Sequence, residues 1–208
     1  MTLAPTILRP FEPGTTGWVA DDLNDPHIGA IWEAGHYEIV EGVLALMPPA
    51  LFDGSAPLFR LATMIQSRMR ELKITGDFAP EADYILTPRR VARPDMVLLL
   101  SDDLERQGKE NALRGKVDAK YGRLLVPPAL IVESISQGHE DHDRIVKRNW
   151  YAEARVPHYW MLDARIKSLE CLKLHGDQYE QEALGSGTQT IHSSLLGGIT
   201  IALSEVWV

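Results

Sequence analysis

Two carboxylates of this chain occupy positions where a negative charge is unfavourable. Asp95 directly precedes the apolar run 96–100, and Glu133 lies inside a second apolar run, 129–135. An ionised carboxylate in an apolar strand must be paired, bound to a metal or protonated, because desolvating it alone is strongly unfavourable. If the two strands are neighbours, both side chains could bind one divalent cation, and oxygen ligands of this kind suit Mg²⁺.

The segment after Glu133 supplies cations that could act together with it. Arg144 or Arg148 could form an ion pair with Glu133, which would then have a purely structural role. Asp143 and Lys147 are four residues apart and share one face of a predicted helix. Lys147 could point toward the carboxylates and orient a water or stabilise charge on a phosphate. The alternative is that Asp143 and Lys147 form an ordinary surface ion pair.

Other chemical motifs are weak. Residues 139–143 read His-Glu-Asp-His-Asp, but no HExxH motif or cysteine pair accompanies them, so this segment is interpreted as a solvated polar turn. The chain has no glycine-rich phosphate loop, no GxSxG nucleophile elbow and no Cys/His pair placed for nucleophilic catalysis. The nearby aromatic residues are interpreted as core rather than as a surface that stacks bases: Trp150, Tyr151, Tyr159 and Trp160.

Apolar patterns predict the strands that must position these residues. Unbroken apolar runs are typical of strands buried on both faces, and they occur at 96–100, 129–135 and 158–163. Gly42 suits the turn of a hairpin formed by 37–40 and 43–46. Further strands are predicted at 78–86 and in a hairpin of 168–174 with 178–182. The order of strand, helix and strand in the middle of the chain predicts an α/β sheet with antiparallel additions.

Helical periodicity predicts two helices. One covers 57–72, with Ser55 as its N-cap, and the other covers about 141–154. Residues 101–123 are polar and charged and are predicted to form an exposed loop. The first 30 residues are rich in Pro, Gly and Asp and are predicted to form a loosely structured leader, followed by a single domain over 31–208.

Composition indicates a globular protein of the cytoplasm. The chain has 208 residues, 45% of them hydrophobic, and no apolar run near the roughly 20 residues that span a bilayer, so no membrane partner is expected. A single cysteine, Cys171, excludes an internal disulfide and a cysteine zinc site. The net charge of −8 argues against a nucleic-acid partner, but residues 1–60 alone hold two basic and eight acidic residues, whereas 89–123 holds nine basic and six acidic.

The order of motifs along the chain resembles that of a known family. The motifs are the hairpin followed by Met47-Pro48-Pro49, the strand opened by Arg93-Pro94-Asp95, the strand over 128–136, and the series Asp143, Lys147, Tyr151 that leads into 155–163. Together they resemble the Uma-type restriction endonucleases, which have a PD-(D/E)XK nuclease fold. The resemblance covers about residues 31–205, and the run from Glu133 to Asp163 is its specific part.

This resemblance implies a restriction-endonuclease-like mixed central sheet flanked by helices, with antiparallel hairpins toward both ends of the chain. It also implies that Asp95 and Glu133 bind Mg²⁺, with Mn²⁺ as a substitute, that DNA is the substrate and that the protein can form a homodimer. The general pattern has a lysine two residues after the acid, where this chain has Ile135. In this family a lysine on the following helix takes that role, which points to Lys147.

Two function hypotheses follow. The first is an endonuclease that hydrolyses DNA phosphodiester bonds, with Asp95 and Glu133 holding the metal and Lys147 assisting. Glu41, Glu81 and Asp143 are candidates for additional acids around that site. The alternative is a catalytically inactive module of the same fold that binds DNA or a protein partner. The family often carries a histidine near the start of its first long helix, where this chain has Ser55 and Pro57, and its usual glycine before Val-Pro is Arg155 here.

Overall fold

The computed structural model describes residues 9–48, 52–113, 122–138 and 140–208, and the chain divides into two units. The smaller unit is Met1–Pro48 with Ile85–Arg93, and the larger is Pro49–Tyr84 with Pro94–Val208. The helices are α1 Pro26–Glu33, α2 Phe52–Leu72, α3 Ser101–Leu113, α4 Arg148–Glu153 and α5 Leu203–Val206. The strands are β1 Tyr37–Val40, β2 Val43–Leu46, β3 Gly76–Pro80, β4 Tyr84–Thr87, β5 Arg90–Ala92, β6 Met96–Leu100, β7 Leu130–Ser134, β8 His158–Asp163, β9 Ser168–His175, β10 Gln178–Ser186, β11 Thr190–Ser193 and β12 Ile199–Ala202. No described helix has the length and apolar character needed to cross a membrane.

The smaller unit contains the predicted N-terminal hairpin. Its sheet has the order β2-β1-β5-β4, and Val40 pairs with Val43 beside the turn. The two turn residues, Glu41 and Gly42, both have positive φ, 52° and 82°. This is the backbone conformation of the two-residue turns that match the twist of paired strands.

Residues 18–30 differ from the loose leader expected from their composition. Ala20–Asn24 forms a 3-10 helix, and α1 follows it directly. Asp25 caps α1 by accepting hydrogen bonds from the backbone amides of His27 and Ile28, and Pro26 occupies the first helical position. An aspartate followed by a proline is therefore a helix start here rather than a loop. Side chains that include Trp18 and Trp32 are buried in the core of this unit.

The larger unit is built on a six-stranded mixed sheet with the order β10-β9-β8-β7-β6-β3. β7 and β8 run parallel, and the other neighbouring strands run antiparallel. β8 is buried along its whole length, and β6 and β7 are buried except at their last residues. Helix α2 contributes Leu61, Ile65 and Met69 to the core, and the hairpin of β11 and β12 contributes Ile191 and Ile201. The mixed α/β fold with added hairpins is confirmed.

Several element bounds differ from the sequence prediction. The strand predicted at 78–86 is two strands, because β3 ends at Pro80 and β4 begins at Tyr84. Ser55 lies inside α2 and is not its N-cap, because α2 begins at Phe52 and includes Pro57 within it.

The segment predicted as an exposed loop at 101–123 contains helix α3; residues 114–121 lie outside the described part. The buried face of α3 is polar and consists of Asp103, Gln107 and Asn111, each four residues apart. Gln107 donates to the Arg123 carbonyl and accepts from the Leu125 amide. A helix whose buried face bonds to backbone rather than to apolar side chains has no hydrophobic period, which is why the sequence pattern misses it.

Candidate active site

Neighbouring strands of the larger unit bring Asp95 and Glu133 together. β6 and β7 pair antiparallel, with Met96 opposite Val132. The backbone amide of Asp95 donates to Oε2 of Glu133 over 3.2 Å, and the amide of Ser134 donates to Oδ2 of Asp95 over 2.6 Å. The two strands are therefore neighbours, as they must be if both side chains are to bind one cation. The pair lies at the edge of the sheet where β6 begins and β7 ends.

The segment after β7 is helical, as predicted, but its first turns are π-helical. His142–Lys147 forms a π-helix that continues into α4. π-helical turns are rare in proteins, and those that occur often lie at functional sites. The buried hydroxyl of Tyr159, on β8, donates to the backbone carbonyl of Asp143 over 3.0 Å and so holds this segment against the sheet.

Lys147 connects the π segment to β7. Its Nζ lies 3.0 Å from Oε1 of Glu133 and 3.3 Å from Oδ1 of Asp143. All three side chains are less than a tenth exposed, at 7%, 2% and 9% for Lys147, Glu133 and Asp143. The pair of Asp143 with Lys147 therefore exists, but it is buried and joined to Glu133 rather than being a surface pair.

Tyr151 is a member of this cluster that the sequence reading placed in the core. Its ring is fully buried, and its hydroxyl donates to Oε1 of Glu133 over 2.8 Å. The signal that could have found it is the spacing: Asp143, Lys147 and Tyr151 follow one another at intervals of four, so they line one face of the helical segment.

Burial and neighbouring charges shift the pKa values of Asp95 and Tyr159 in this cluster. Burial raises the pKa of Asp95, and the Asp143 carboxylate adds to that rise. The nearby Lys147 ammonium, the Ser134 amide and a hydrogen bond with Glu133 partly offset it. Burial together with Glu133 and Asp143 also raises the pKa of Tyr159 well above its usual value, so Tyr159 is a neutral donor.

The oxygen donors of this cluster fit a divalent cation. Asp95 and Glu133 supply carboxylate oxygens, which are the ligands that Mg²⁺ prefers. Within the described ranges, no group of three or more His, Cys, Asp or Glu side chains is arranged to hold a metal ion. A cation here would therefore be held by Asp95 and Glu133 together with waters or substrate oxygens, which is the usual mode for Mg²⁺.

The additional acids named from the sequence have different surroundings. Glu81 has a positive φ of 49°, and its amide donates to the backbone carbonyl of Asp95 over 3.3 Å, so it adjoins the site. Glu41 belongs to the smaller unit, where its carboxylate pairs with Arg90.

The two arginines named as alternative partners of Glu133 have other contacts. Arg144 forms an ion pair of 3.0 Å with Glu170, and Arg148 donates to the Tyr179 carbonyl over 2.8 Å. In the polar turn before the π segment, Glu140 pairs with Arg165 over 2.7 Å, and His139 lies outside the described residues.

Comparison with known proteins finds a matching family and a similar fold. The model of the Uma2 family, described as "Putative restriction endonuclease", matches residues 31–204. A solved structure described as a putative nuclease belonging to DUF820, from Anabaena variabilis, has a similar fold with a TM-score of 0.61 and 14% sequence identity. That match covers 82% of this chain and 89% of the other. No curated protein matches the chain.

Proposed function

Because this chain belongs to the Uma2 family of restriction-endonuclease-like proteins, we propose that it is a metal-dependent endonuclease that hydrolyses phosphodiester bonds of DNA. The observation that carries the proposal is the convergence of two carboxylates, one directly before β6 and one on β7, with a lysine of the π-helical segment. Lys147 Nζ lies 3.0 Å from Glu133, and Glu133 accepts from the amide of Asp95. The cofactor proposed is Mg²⁺, with Mn²⁺ as a substitute.

Each of the three residues has a distinct role in the proposal. Asp95 and Glu133 would hold the cation, which when bound polarises a phosphate and lowers the pKa of a water. Lys147 carries a fixed positive charge beside Glu133, where it would orient a water or stabilise the charge that develops on the phosphate. Asp143 accepts from the same ammonium over 3.3 Å and so limits the directions in which Lys147 can point.

Nicking of supercoiled plasmid DNA tests the proposal. Wild-type protein is expected to nick in Mg²⁺ or Mn²⁺ and to stop when EDTA is added. Asp95→Asn, Glu133→Gln and Lys147→Met should each lower the rate at least 100-fold while the circular dichroism spectrum stays native. Glu105→Gln is the matched control, because Glu105 is an exposed carboxylate on α3 paired with Lys109. Wild-type rates in all three site variants would sink the assignment.

One observation favours the catalytically inactive alternative. The Lys147 ammonium already pairs with both Glu133 and Asp143, as a purely structural ion cluster would require, and the usual lysine position after the acid is Ile135. The two functions differ in their need for metal. A binding module would retain DNA or a partner protein in EDTA and would show no nicking in any metal.

The proposal also includes a cellular location and an oligomeric state. A nuclease acting on intracellular DNA would work in the cytoplasm. A homodimer would allow cleavage of both strands, and sedimentation of the protein with and without DNA tests it.

A further inference from the structure

We propose that Tyr151 is a positioning residue that fixes the orientation of the Glu133 carboxylate, so that Oε2 rather than Oε1 is presented to the metal. The inference rests on the proposed function, because it assigns Glu133 to metal binding. It adds a residue with no charge of its own to the site.

The two oxygens of Glu133 have unequal surroundings. Oε1 accepts two short hydrogen bonds, from the Tyr151 hydroxyl over 2.8 Å and from the Lys147 ammonium over 3.0 Å. Oε2 accepts from the Asp95 amide over 3.2 Å, at the longer end of the usual range. Two side-chain donors therefore converge on Oε1, whereas the contact of Oε2 described above is with the backbone of Asp95. Oε2 is also the oxygen on the side of Asp95.

The tyrosine is well placed to impose this choice, because its own ring is fixed. Tyr151 is fully buried and packs edge to face against Tyr159, with 5.2 Å between the ring centroids. Its backbone carbonyl accepts from the Val156 amide over 3.0 Å, a bond that closes the end of α4. A donor with a fixed position can hold a carboxylate in one rotamer, whereas the flexible chain of Lys147 is shared between Glu133 and Asp143.

Donors that lie behind metal ligands set both ligand orientation and affinity. Removing such a donor commonly weakens metal binding 10- to 100-fold. If Tyr151 served only to fill the core, removing its hydroxyl would alter stability but not the affinity for metal. This difference separates a positioning role from a packing role.

The test is the affinity of the DNA-free protein for Mn²⁺, measured by electron paramagnetic resonance, for wild type, Tyr151→Phe and Tyr179→Phe. Tyr179 is a matched control: it is buried, and its hydroxyl donates to the Val156 carbonyl over 2.7 Å instead of to a carboxylate. We expect Tyr151→Phe to weaken Mn²⁺ binding at least tenfold, and Tyr179→Phe to change it less than threefold. 4-Aminophenylalanine at position 151 keeps the ring and a donor, and is expected to bind Mn²⁺ within threefold of wild type.

The outcomes separate this inference from the proposed function. If wild type binds Mn²⁺ and Tyr151→Phe binds it equally well, the positioning role is overturned while the nuclease proposal stands. If Tyr151→Phe does not fold, the 4-aminophenylalanine variant decides instead. A folded 4-aminophenylalanine variant that binds Mn²⁺ tenfold more weakly than wild type would also overturn the inference. If wild type binds no Mn²⁺ and nicks no DNA, the proposed function fails and the role of Tyr151 fails with it.

Discussion

Lys147 and Glu133 form a buried ion pair that joins two different elements, with 3.0 Å between Nζ and Oε1. The lysine comes from the π-helical segment, and the glutamate comes from β7. Because both side chains are withdrawn from water, neither charge has solvent to replace its partner. The pair therefore couples the stability of the protein to the chemistry of the candidate site.

Removing one member of this pair is expected to destabilise the protein strongly. Lys147→Met leaves the Glu133 carboxylate buried without its cation, and should lower the free energy of unfolding by about 3–5 kcal/mol. Urea denaturation followed by circular dichroism measures the change. In the double variant with Glu133→Gln, part of this loss should be recovered, because the unpaired charge is gone. Lys109→Met removes an exposed pair and should change the stability by less than about 1 kcal/mol; equal losses at both lysines would contradict the burial argument.

The close approach of α2 to β7 makes Gly54 sensitive to substitution. A Cβ at this position would clash with Oγ of Ser134, so the Ser134 side chain would have to move. Gly108, in α3, has open space around the same position. Replacing a helical glycine with alanine stabilises a helix by up to about 1 kcal/mol where there is room.

We therefore expect Gly108→Ala to raise the unfolding midpoint and Gly54→Ala to lower it, as measured by thermal denaturation. Combining Gly54→Ala with Ser134→Ala should remove most of the difference. A stabilising effect of Gly54→Ala alone would show that α2 and β7 can move apart without loss of stability.

His158 makes the stability depend on pH on the acidic side. Burial lowers its pKa, Lys173 adds to that effect and Glu182 opposes it, and Nδ1 is buried without a hydrogen-bond partner among the described residues. Because the folded pKa lies below the unfolded value of about 6.5, the unfolded chain takes up the proton first as pH falls. Stability is thus fully present above pH ~6.5 and decreases below it, by up to about 1.4 kcal/mol per pH unit.

His158→Gln should remove this part of the decrease between pH 6.5 and 5, as measured by urea denaturation at a series of pH values. His192→Gln is the control, because His192 is exposed, and it should retain the wild-type pH profile. Parallel profiles for wild type and His158→Gln would refute the assignment.

Arg155 occupies a backbone position that favours glycine. It has a φ of 64° and ends α4: its amide donates to the Ala152 carbonyl, and the next amide donates to the Tyr151 carbonyl. This is the Schellman pattern, in which the left-handed residue is usually glycine. Its guanidinium contacts the Gly176 carbonyl and Asp177, but both charged side chains are more than half exposed, so the ion pair contributes little.

Arg155→Gly is therefore expected to be more stable than Arg155→Ala by about 1 kcal/mol, because only alanine retains the strain of the left-handed conformation. Chemical denaturation of the two variants beside wild type measures the difference. Equal stability of the alanine and glycine variants would mean that position 155 is not strained.

Sequence patterns predicted the secondary structure best where the buried stretch is apolar and uninterrupted. The runs at 96–100 and 158–163 form strands with those bounds, because an uninterrupted apolar stretch has few alternatives to the centre of a sheet. Helix α3 was missed for the opposite reason, since its buried face is polar. Asp95, Glu133 and Lys147 were predicted individually, and their convergence needed the pairing of β6 with β7.

Tyr151 could not be assigned from its type alone. A tyrosine near a helix end is usually core, and this one is fully buried as well. What distinguishes it is the direction of one hydroxyl toward Glu133, which depends on where β7 lies relative to the helix. Spacing can select the face of a helix, but not the strand that this face meets.

The order of strands in the larger sheet also bears on the order in which these strands pair during folding. β8, β9 and β10 are consecutive neighbours, and β9 and β10 are joined by only two residues, so these strands can pair early through local contacts. β6 must instead meet β7 across the 29 residues between Leu100 and Leu130. Substitutions in the β8–β10 meander are therefore expected to slow refolding. Substitutions at Asp95, whose contact with β7 forms after that longer closure, are expected mainly to accelerate unfolding.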